Sequence, residues 1–249
     1  MLISARQGSI LRRIQEAGDV SVRELANDLG VSPSTIRRDL NLLSSEGHLR
    51  RVHGGGSLDS DKIDFREVLA RSSPAKEKIA NRAAELVEDG DVVLLDIGTT
   101  TAMLARALRG RRITVITSSL AVLDELRTDP EVELVILGGV LRRSYHSLVG
   151  SLTLASLANI RASISFLGCS GIREDSTVQD TTGIEVPVKQ AILDSSAKIV
   201  LLADETKFPG VGIRDVCTAA RITTLVTSRG ADPRTLEAFR KSGSEVVLA

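Results

Sequence analysis

The stretch Gly30-Val31-Ser32-Pro33-Ser34-Thr35-Ile36-Arg37-Arg38-Asp39-Leu40 decides how this chain is read. Glycine supplies a turn, Ser32 stands as an N-cap, and Pro33 takes the first helical position, where a missing N–H costs nothing. Ile36, Leu40 and Leu43 then recur at i, i+4 and i+7, so one stripe of the predicted helix faces a core. At about 100° per residue the opposite face carries Ser34, Arg38, Asn41 and Ser45, with Thr35 and Arg37 on its flanks. A buried aliphatic stripe beneath an outward Ser/Thr/Arg/Asn face suits a helix that enters a DNA major groove.

Upstream, Ile10, Leu11, Ile14 and Ala17 predict a first amphipathic helix, stopped by Gly18-Asp19. Ser21 predicts the cap of a second helix, with Val22, Leu25, Ala26 and Leu29 inward and Glu24 completing a capping box. Helix, helix, glycine turn, helix is the helix-turn-helix plan. The basic, glycine-tipped segment 48–56 predicts a β-hairpin wing, with Arg50, Arg51 and His53 against backbone phosphates or the minor groove. The whole chain is balanced at 32 basic and 32 acidic residues, so the local charge matters more than the total. Residues 1–57 hold eight arginines, six acids and no lysine, and arginine's planar fork suits bidentate contact with guanine or phosphate.

Residues 32–40 closely resemble the helix-turn-helix signature of the deoxyribose-operon repressor (DeoR) family of bacterial transcription regulators. The resemblance implies a helix in the major groove, with Ser32, Ser34, Thr35, Arg37 and Arg38 at the matching positions. Asp39 lies near the core edge of the helix and is read as orienting an arginine rather than meeting DNA. A small helical bundle that binds another protein is the bland alternative, and it leaves the Arg-rich wing unexplained.

A chain of 249 residues suits two domains, expected here as 1–57 (winged helix-turn-helix), 58–75 (linker) and 76–249 (α/β). Aromatic residues make up only 2%, so aliphatic side chains must fill both cores and base stacking on single strands is not expected. The N-terminus lacks an apolar signal region and no apolar run reaches membrane-spanning length, so no membrane partner is expected. Cys169 and Cys217 are too few for a disulfide framework, which points to a reducing cytoplasm. His48, His53 and His146 show no metal-ligand spacing with either cysteine, and neither metal nor cofactor is expected.

From Lys76 onward, short apolar runs at 92–96, 113–117, 132–137, 164–169, 198–203, 222–227 and 245–248 alternate with helical patterns. Those patterns cover 76–88, 100–109, 119–128, 151–160, 184–196 and 232–242. Continuous β-branched runs with helical crossovers predict a mainly parallel sheet covered on both faces. Ligands of such sheets sit beyond the carboxyl ends of the strands. There the sequence places Asp96-Ile97-Gly98-Thr99-Thr100-Thr101, Thr117-Ser118-Ser119, Leu137-Gly138-Gly139, Gly168-Cys169-Ser170-Gly171-Ile172 and Asp204-Glu205-Thr206-Lys207. Each of these is weak alone, since Gly-Thr-Thr after a strand also caps ordinary helices. Together they describe a pocket with one anion cradle, several hydroxyls and the lysines Lys207 and Lys189, matching a small phosphorylated polyol.

The same order of strand ends resembles the effector domain of the DeoR family, related in fold to ribose-5-phosphate isomerase and glucosamine-6-phosphate deaminase. The resemblance therefore spans nearly the whole chain. It implies an α/β fold: an N-terminal winged helix-turn-helix followed by a mainly parallel Rossmann-like effector domain. It also implies phosphate on Gly98, Thr99, Thr100 and Thr101, with Glu185, Lys189, Asp204 and Lys207 as the polar wall. Two departures stand out: Ser118 where the family commonly has Asn, and Ser170 where it commonly has Asp. A hydroxyl cannot balance a cation.

The function expected is a DNA-binding regulator, a repressor of carbohydrate-metabolism genes, controlled by a phosphorylated sugar or polyol. Its partners would be a double-stranded operator, that small metabolite, and further copies of itself as a dimer or tetramer. The alternative is a sugar-phosphate isomerase or deaminase with Glu185 as base. Cys169 as a nucleophile lacks a sequence-apparent histidine, and a buried thiol is the better reading.

Overall fold

A computed structural model describes residues 3–17, 20–45, 49–52, 55–57 and 74–249. The chain divides into two compact units, each described here by itself.

The N-terminal unit carries helices α1 (Ile3–Ala17), α2 (Val22–Leu29) and α3 (Pro33–Ser45) and strands β1 (Val20–Ser21), β2 (Arg50–Val52) and β3 (Gly55–Ser57). Ser21 Oγ accepts the Glu24 N–H at 3.2 Å while Glu24 Oε2 accepts the Ser21 N–H at 2.8 Å, so the capping box forms as predicted. Gly30 closes α2 in the left-handed region at φ 63°, and α3 begins at Pro33. Ile10, Leu11, Ile14, Leu25, Ile36, Leu40, Leu43 and Leu49 are inaccessible to solvent, the aliphatic core the periodicity called for. The wing is wider than a hairpin. β3 lies between β2 and β1, antiparallel to both, so the two residues ahead of α2 join the sheet. A Cβ on Gly55 would fall 2.1 Å from the Val20 carbonyl oxygen, which explains the glycine there.

The second unit opens with α4 (Pro74–Ala84) and builds one parallel sheet. Its strands are β4 (Val92–Leu95), β5 (Thr114–Thr117), β6 (Glu133–Ile136), β9 (Ala162–Gly168), β12 (Ser196–Ala203), β14 (Thr224–Thr227) and β15 (Glu245–Leu248). They lie in the order β15-β14-β12-β9-β4-β5-β6, every pair parallel. Helices α4, α5 (Thr99–Ala107) and α6 (Leu120–Leu126) cover one face through Ile79, Leu104 and Val122. Helices α7 (Ser151–Ala158), α8 (Val186–Asp194) and α9 (Pro233–Lys241) cover the other through Leu157, Ile192 and Phe239. Each predicted strand is present, the central ones because their side chains are apolar on both faces, while the edge strands β6 and β15 keep exposed residues.

The sequence reading did not foresee two additions. One is the antiparallel hairpin β7 (Val140–Arg142) and β8 (Ser147–Val149); the other is a small sheet of β10 (Gly171–Ile172), β11 (Thr177–Asp180) and β13 (Arg214–Thr218). These strands are too short and polar to give an apolar run. Among the described residues no helix is long and apolar enough to cross a membrane.

The chain's path along the sheet reverses direction at β4, which has β5 and β6 on one side and β9, β12, β14 and β15 on the other. At such a switch point the loops leave β4 and β9 in opposite directions and open a crevice beyond their carboxyl ends.

Candidate functional site

Two sets of predicted residues are placed by these units. On α3, Ser32 Oγ accepts the Thr35 N–H at 3.2 Å and lies 2.8 Å from Ser34 Oγ and 2.9 Å from Thr35 Oγ1. It caps the helix, as the sequence requires. Ser34, Arg37, Arg38 and Asn41 are exposed and Thr35 is half-buried, on the side away from Ile36, Leu40 and Leu43. Asp39 is buried and takes Arg6 bidentately, Nε at 2.6 Å and Nη2 at 3.1 Å. The arginine it orients is thus on α1. Arg50 and Arg51 lie on β2 with side chains outside the described residues, as does all of His53.

The second set gathers at the crevice. Asp96 follows β4 and is 1% exposed, and Lys189, reaching in from α8, is 3% exposed. Lys189 Nζ pairs with Asp96 Oδ2, donates to the Gly168 carbonyl at 2.9 Å, and lies 3.4 Å from Asp180 Oδ2. The Gly168 N–H donates to Asp96 Oδ2 at 3.1 Å, so one lysine ties the ends of β4, β9 and β11 together. Burial pushes the Asp96 carboxyl pKa up, against the pull of Lys189. Burial alone would lower the Lys189 pKa, but Asp96 and Asp180 outweigh it and hold the ammonium charged.

Ser170 sits beside this cluster, its Oγ donating to Asp180 Oδ1 at 3.3 Å, an oxygen that also accepts the Thr181 N–H at 2.7 Å. One turn before Lys189, Glu185 Oε1 accepts Arg142 Nη1 at 2.8 Å and Ser147 Oγ at 3.2 Å. Burial raises the Glu185 pKa, and the Arg142 hydrogen bond opposes it. Asp204 Oδ1 caps the turn 205–207 by accepting the Thr206 N–H at 2.9 Å, while Lys207 is half-buried. Cys169 lies among these groups: burial pushes its thiol up to about 12, Lys207 and Lys189 oppose, and Asp180 and Asp204 add.

The expected anion cradle falls at the start of α5. Gly98 has φ 124°, a conformation that side chains with a Cβ avoid, and the first helical bond runs from the Ala102 N–H to the Gly98 carbonyl at 3.1 Å. That leaves the N–H groups of residues 99–101 without an intrahelical acceptor. Thr99 and Thr100 are half-buried, and Lys76 Nζ on α4 lies 3.3 Å from Thr99 Oγ1.

Several predicted ligands also make structural bonds. Thr101 is fully buried and its hydroxyl donates to the Gly98 carbonyl at 2.9 Å, so its side chain faces away from the cradle. Ser119 is also fully buried and caps α6, its Oγ accepting the Val122 N–H at 3.3 Å. The buried Ser118 gives its carbonyl to the Leu148 N–H at 2.8 Å. The Gly138 carbonyl accepts Thr153 Oγ1 at 2.7 Å, and a Cβ on Gly139 would fall 2.4 Å from that same oxygen. Conversely, sequence reasoning missed Lys76, Arg142 and Asp180. The polar run Gln179-Asp180-Thr181-Thr182 after Val178 was the available signal for the last.

Residues 6–62 match the DeoR-like helix-turn-helix domain and residues 71–229 the DeoR C-terminal sensor domain. The HTH-type transcriptional regulator GolR of Listeria innocua serovar 6a is 31% identical over 248 residues, 98% of this chain and 98% of that protein. The glycerol-3-phosphate regulon repressor of Escherichia coli strain K12 is 33% identical over 206 residues, 82% of each. A solved structure of ribose 5-phosphate isomerase A from Methanocaldococcus jannaschii is similar at 22% identity and TM-score 0.39, over 53% of this chain and 52% of that one. With a capped, arginine-bearing helix in one unit and a polar crevice in the other, each within a matching domain, the chain belongs to the DeoR family of transcriptional regulators.

Proposed function

We propose that this chain represses carbohydrate-metabolism genes by placing α3 in the major groove of an operator, and releases it when a phosphorylated sugar or polyol binds the crevice. The observation that carries the reading is α3 itself, whose aliphatic stripe is buried while Ser34, Arg37, Arg38 and Asn41 stand exposed on the other side. Arg50, Arg51 and His53 of the wing, with Ser32 and Thr35 at the helix start, complete the DNA set. One head reads a short half-site, so two or more copies act together. Such a regulator works in the compartment that holds its DNA, the cytoplasm.

In the crevice, the backbone N–H groups after Gly98, the hydroxyls of Thr99 and Thr100, and the amines of Lys76 and Lys207 would hold phosphate. Asp180, Ser170 and Asp204 would meet hydroxyl groups, Asp180 supplying the negative charge that Ser170 does not. Glu185 and Lys189 shape this wall from behind. Their commitments favour a sensor over an isomerase: Glu185 Oε1 already serves Arg142 and Ser147, and Lys189 is held by two carboxylates.

The test pairs two assays on the intact chain. Glycerol 3-phosphate, ribose 5-phosphate and glucosamine 6-phosphate are screened by thermal shift and then added to a gel shift on DNA upstream of its own gene. One of them should raise the melting temperature and release the DNA. Steady turnover of a sugar phosphate, or DNA binding indifferent to each stabilising compound, contradicts the proposal.

A further inference from the structure

Aliphatic packing holds α3 in the N-terminal unit but does little to fix its rotation. Ile36, Leu40 and Leu43 are inaccessible to solvent, and the burial that keeps them there depends on area rather than angle. Reading DNA needs the angle. Side chains end about 5–6 Å from a helix axis, so a roll of about 10° carries a tip by about 1 Å. That is enough to spoil a bidentate hydrogen bond to a base edge.

Asp39 supplies the direction that the stripe lacks. It is 4% exposed, the one buried ionisable side chain among the described residues of the N-terminal unit, and it follows Arg38 at the edge of the stripe. One guanidinium takes both its oxygens: Arg6 Nε at 2.6 Å and Nη2 at 3.1 Å, from 33 residues earlier on α1. A planar fork on a planar carboxylate admits a narrow range of orientations. Stability is a poor account of such a pair. Apolar side chains of similar size in its place often hold a fold as well or better, because both ions give up hydration to be buried. What an apolar replacement cannot supply is direction.

We propose that Asp39 and Arg6 are positioning residues for sequence reading: their bidentate pair sets the roll of α3 and so aims Ser34, Arg38 and Asn41 at base edges. The inference rests on the reading above that α3 enters the major groove. The pair acts through the helix, not by touching DNA, and its effect is selective. Attraction to phosphates depends on charge and survives a rotated helix, whereas base readout depends on angle and does not.

The test begins with selection of duplexes from a randomised pool by the intact wild-type chain. Fluorescence anisotropy then compares the selected duplex with a scrambled one of equal length. Arg6→Met/Asp39→Leu removes the pair without stranding either partner or changing the net charge. Arg6→Lys keeps the charge and loses the fork. The control is Arg13→Gln/Asp28→Asn, an exposed pair that joins α1 to α2. Urea unfolding establishes that each head is folded. Preference for the selected duplex should fall by about tenfold or more in the paired variant and by a smaller factor in Arg6→Lys. Affinity for the scrambled duplex should stay within about twofold of wild type, with the same salt dependence. The control should match the wild type. A folded probe with the wild-type preference overturns the proposal, as does equal weakening on both duplexes or a loss shared by the control. A head that unfolds in both probes assigns the pair to stability and overturns it too. A wild type that selects no sequence removes this inference and the reading beneath it together; a discriminating wild type matched by its folded probes removes this inference alone.

Discussion

On α3 the exposed Ser34, Arg37, Arg38 and Asn41 ride above Ile36, Leu40 and Leu43, which no solvent reaches; at the crevice, Asp96, Asp180 and Lys189 are themselves buried and joined by ion pairs, and the buried Glu185 is held by Arg142 and Ser147. The helix separates its two tasks by face, so aliphatic packing and recognition can be altered independently. At the strand ends the same side chains hold the fold and would shape the proposed crevice. A substitution there changes both, because removing one member leaves another charge buried without compensation.

The sharpest way to break this contrast is Lys189→Met. It leaves Asp96 and Asp180 buried without their cation and should cost about 3–5 kcal/mol. For a unit of this size that is a fall of roughly 6–20 °C in its melting transition. The loss should shrink on acidification. The Asp96 pKa is raised by burial, so the folded variant keeps protons that the unfolded chain has already released, and stability rises as pH falls through the folded-state value towards the ordinary carboxylate value. A melt within 2 °C of wild type at pH 7, by calorimetry, breaks the claim that the network supports the fold.

Lys207→Ala sharpens the contrast from inside the crevice. Lys207 is only half-buried, so its loss should leave the melt within about 0.5 kcal/mol. It should raise the concentration of phosphorylated ligand needed for DNA release by about 10–100-fold, the worth of one charge-assisted hydrogen bond. Unchanged release in a titrated gel shift moves the phosphate elsewhere. Ser21→Ala probes the other unit, where removing the capping-box hydroxyl should cost about 1 kcal/mol in urea unfolding of the head. The smallest effect concerns the thiols. Cys169 and Cys217 are raised to about 12 and about 11, so their thiolate fraction at pH 8 is on the order of one part in a thousand or less. Native protein should resist iodoacetamide at that pH while urea-unfolded protein reacts, as counted by intact mass; rapid native labelling contradicts the burial that raises both groups.

How far the sequence was legible follows the same division. Caps, a glycine turn and a 3.6-residue stripe are local, so the head was readable from residues 21–43. Each of the seven parallel strands was readable as well, because the central strands, buried on both faces, and the mostly apolar edge strands β6 and β15 all leave short apolar runs. The crevice was only half legible. Lys189 and Asp96 are 93 residues apart, and Arg142 and Glu185 are 43 apart, separations with no periodic signature. Arg142 and Asp180 arrive on short antiparallel strands that the apolar pattern does not reveal. Thr101 and Ser119 stand where ligand hydroxyls would be sought, but a hydroxyl at a helix start caps as readily as it binds, and in both the backbone takes it.

The most direct test of the account is fluorescence anisotropy of the intact chain on duplex DNA from upstream of its own gene, at two salt concentrations, comparing wild type with Arg37→Ala/Arg38→Ala. Losing two base- or phosphate-reading arginines from the exposed face should weaken binding by at least about 30-fold, roughly 2 kcal/mol, and flatten the salt dependence, with the head's melt unchanged. Superimposable isotherms for the two proteins would contradict the central claim that this face of α3 reads DNA.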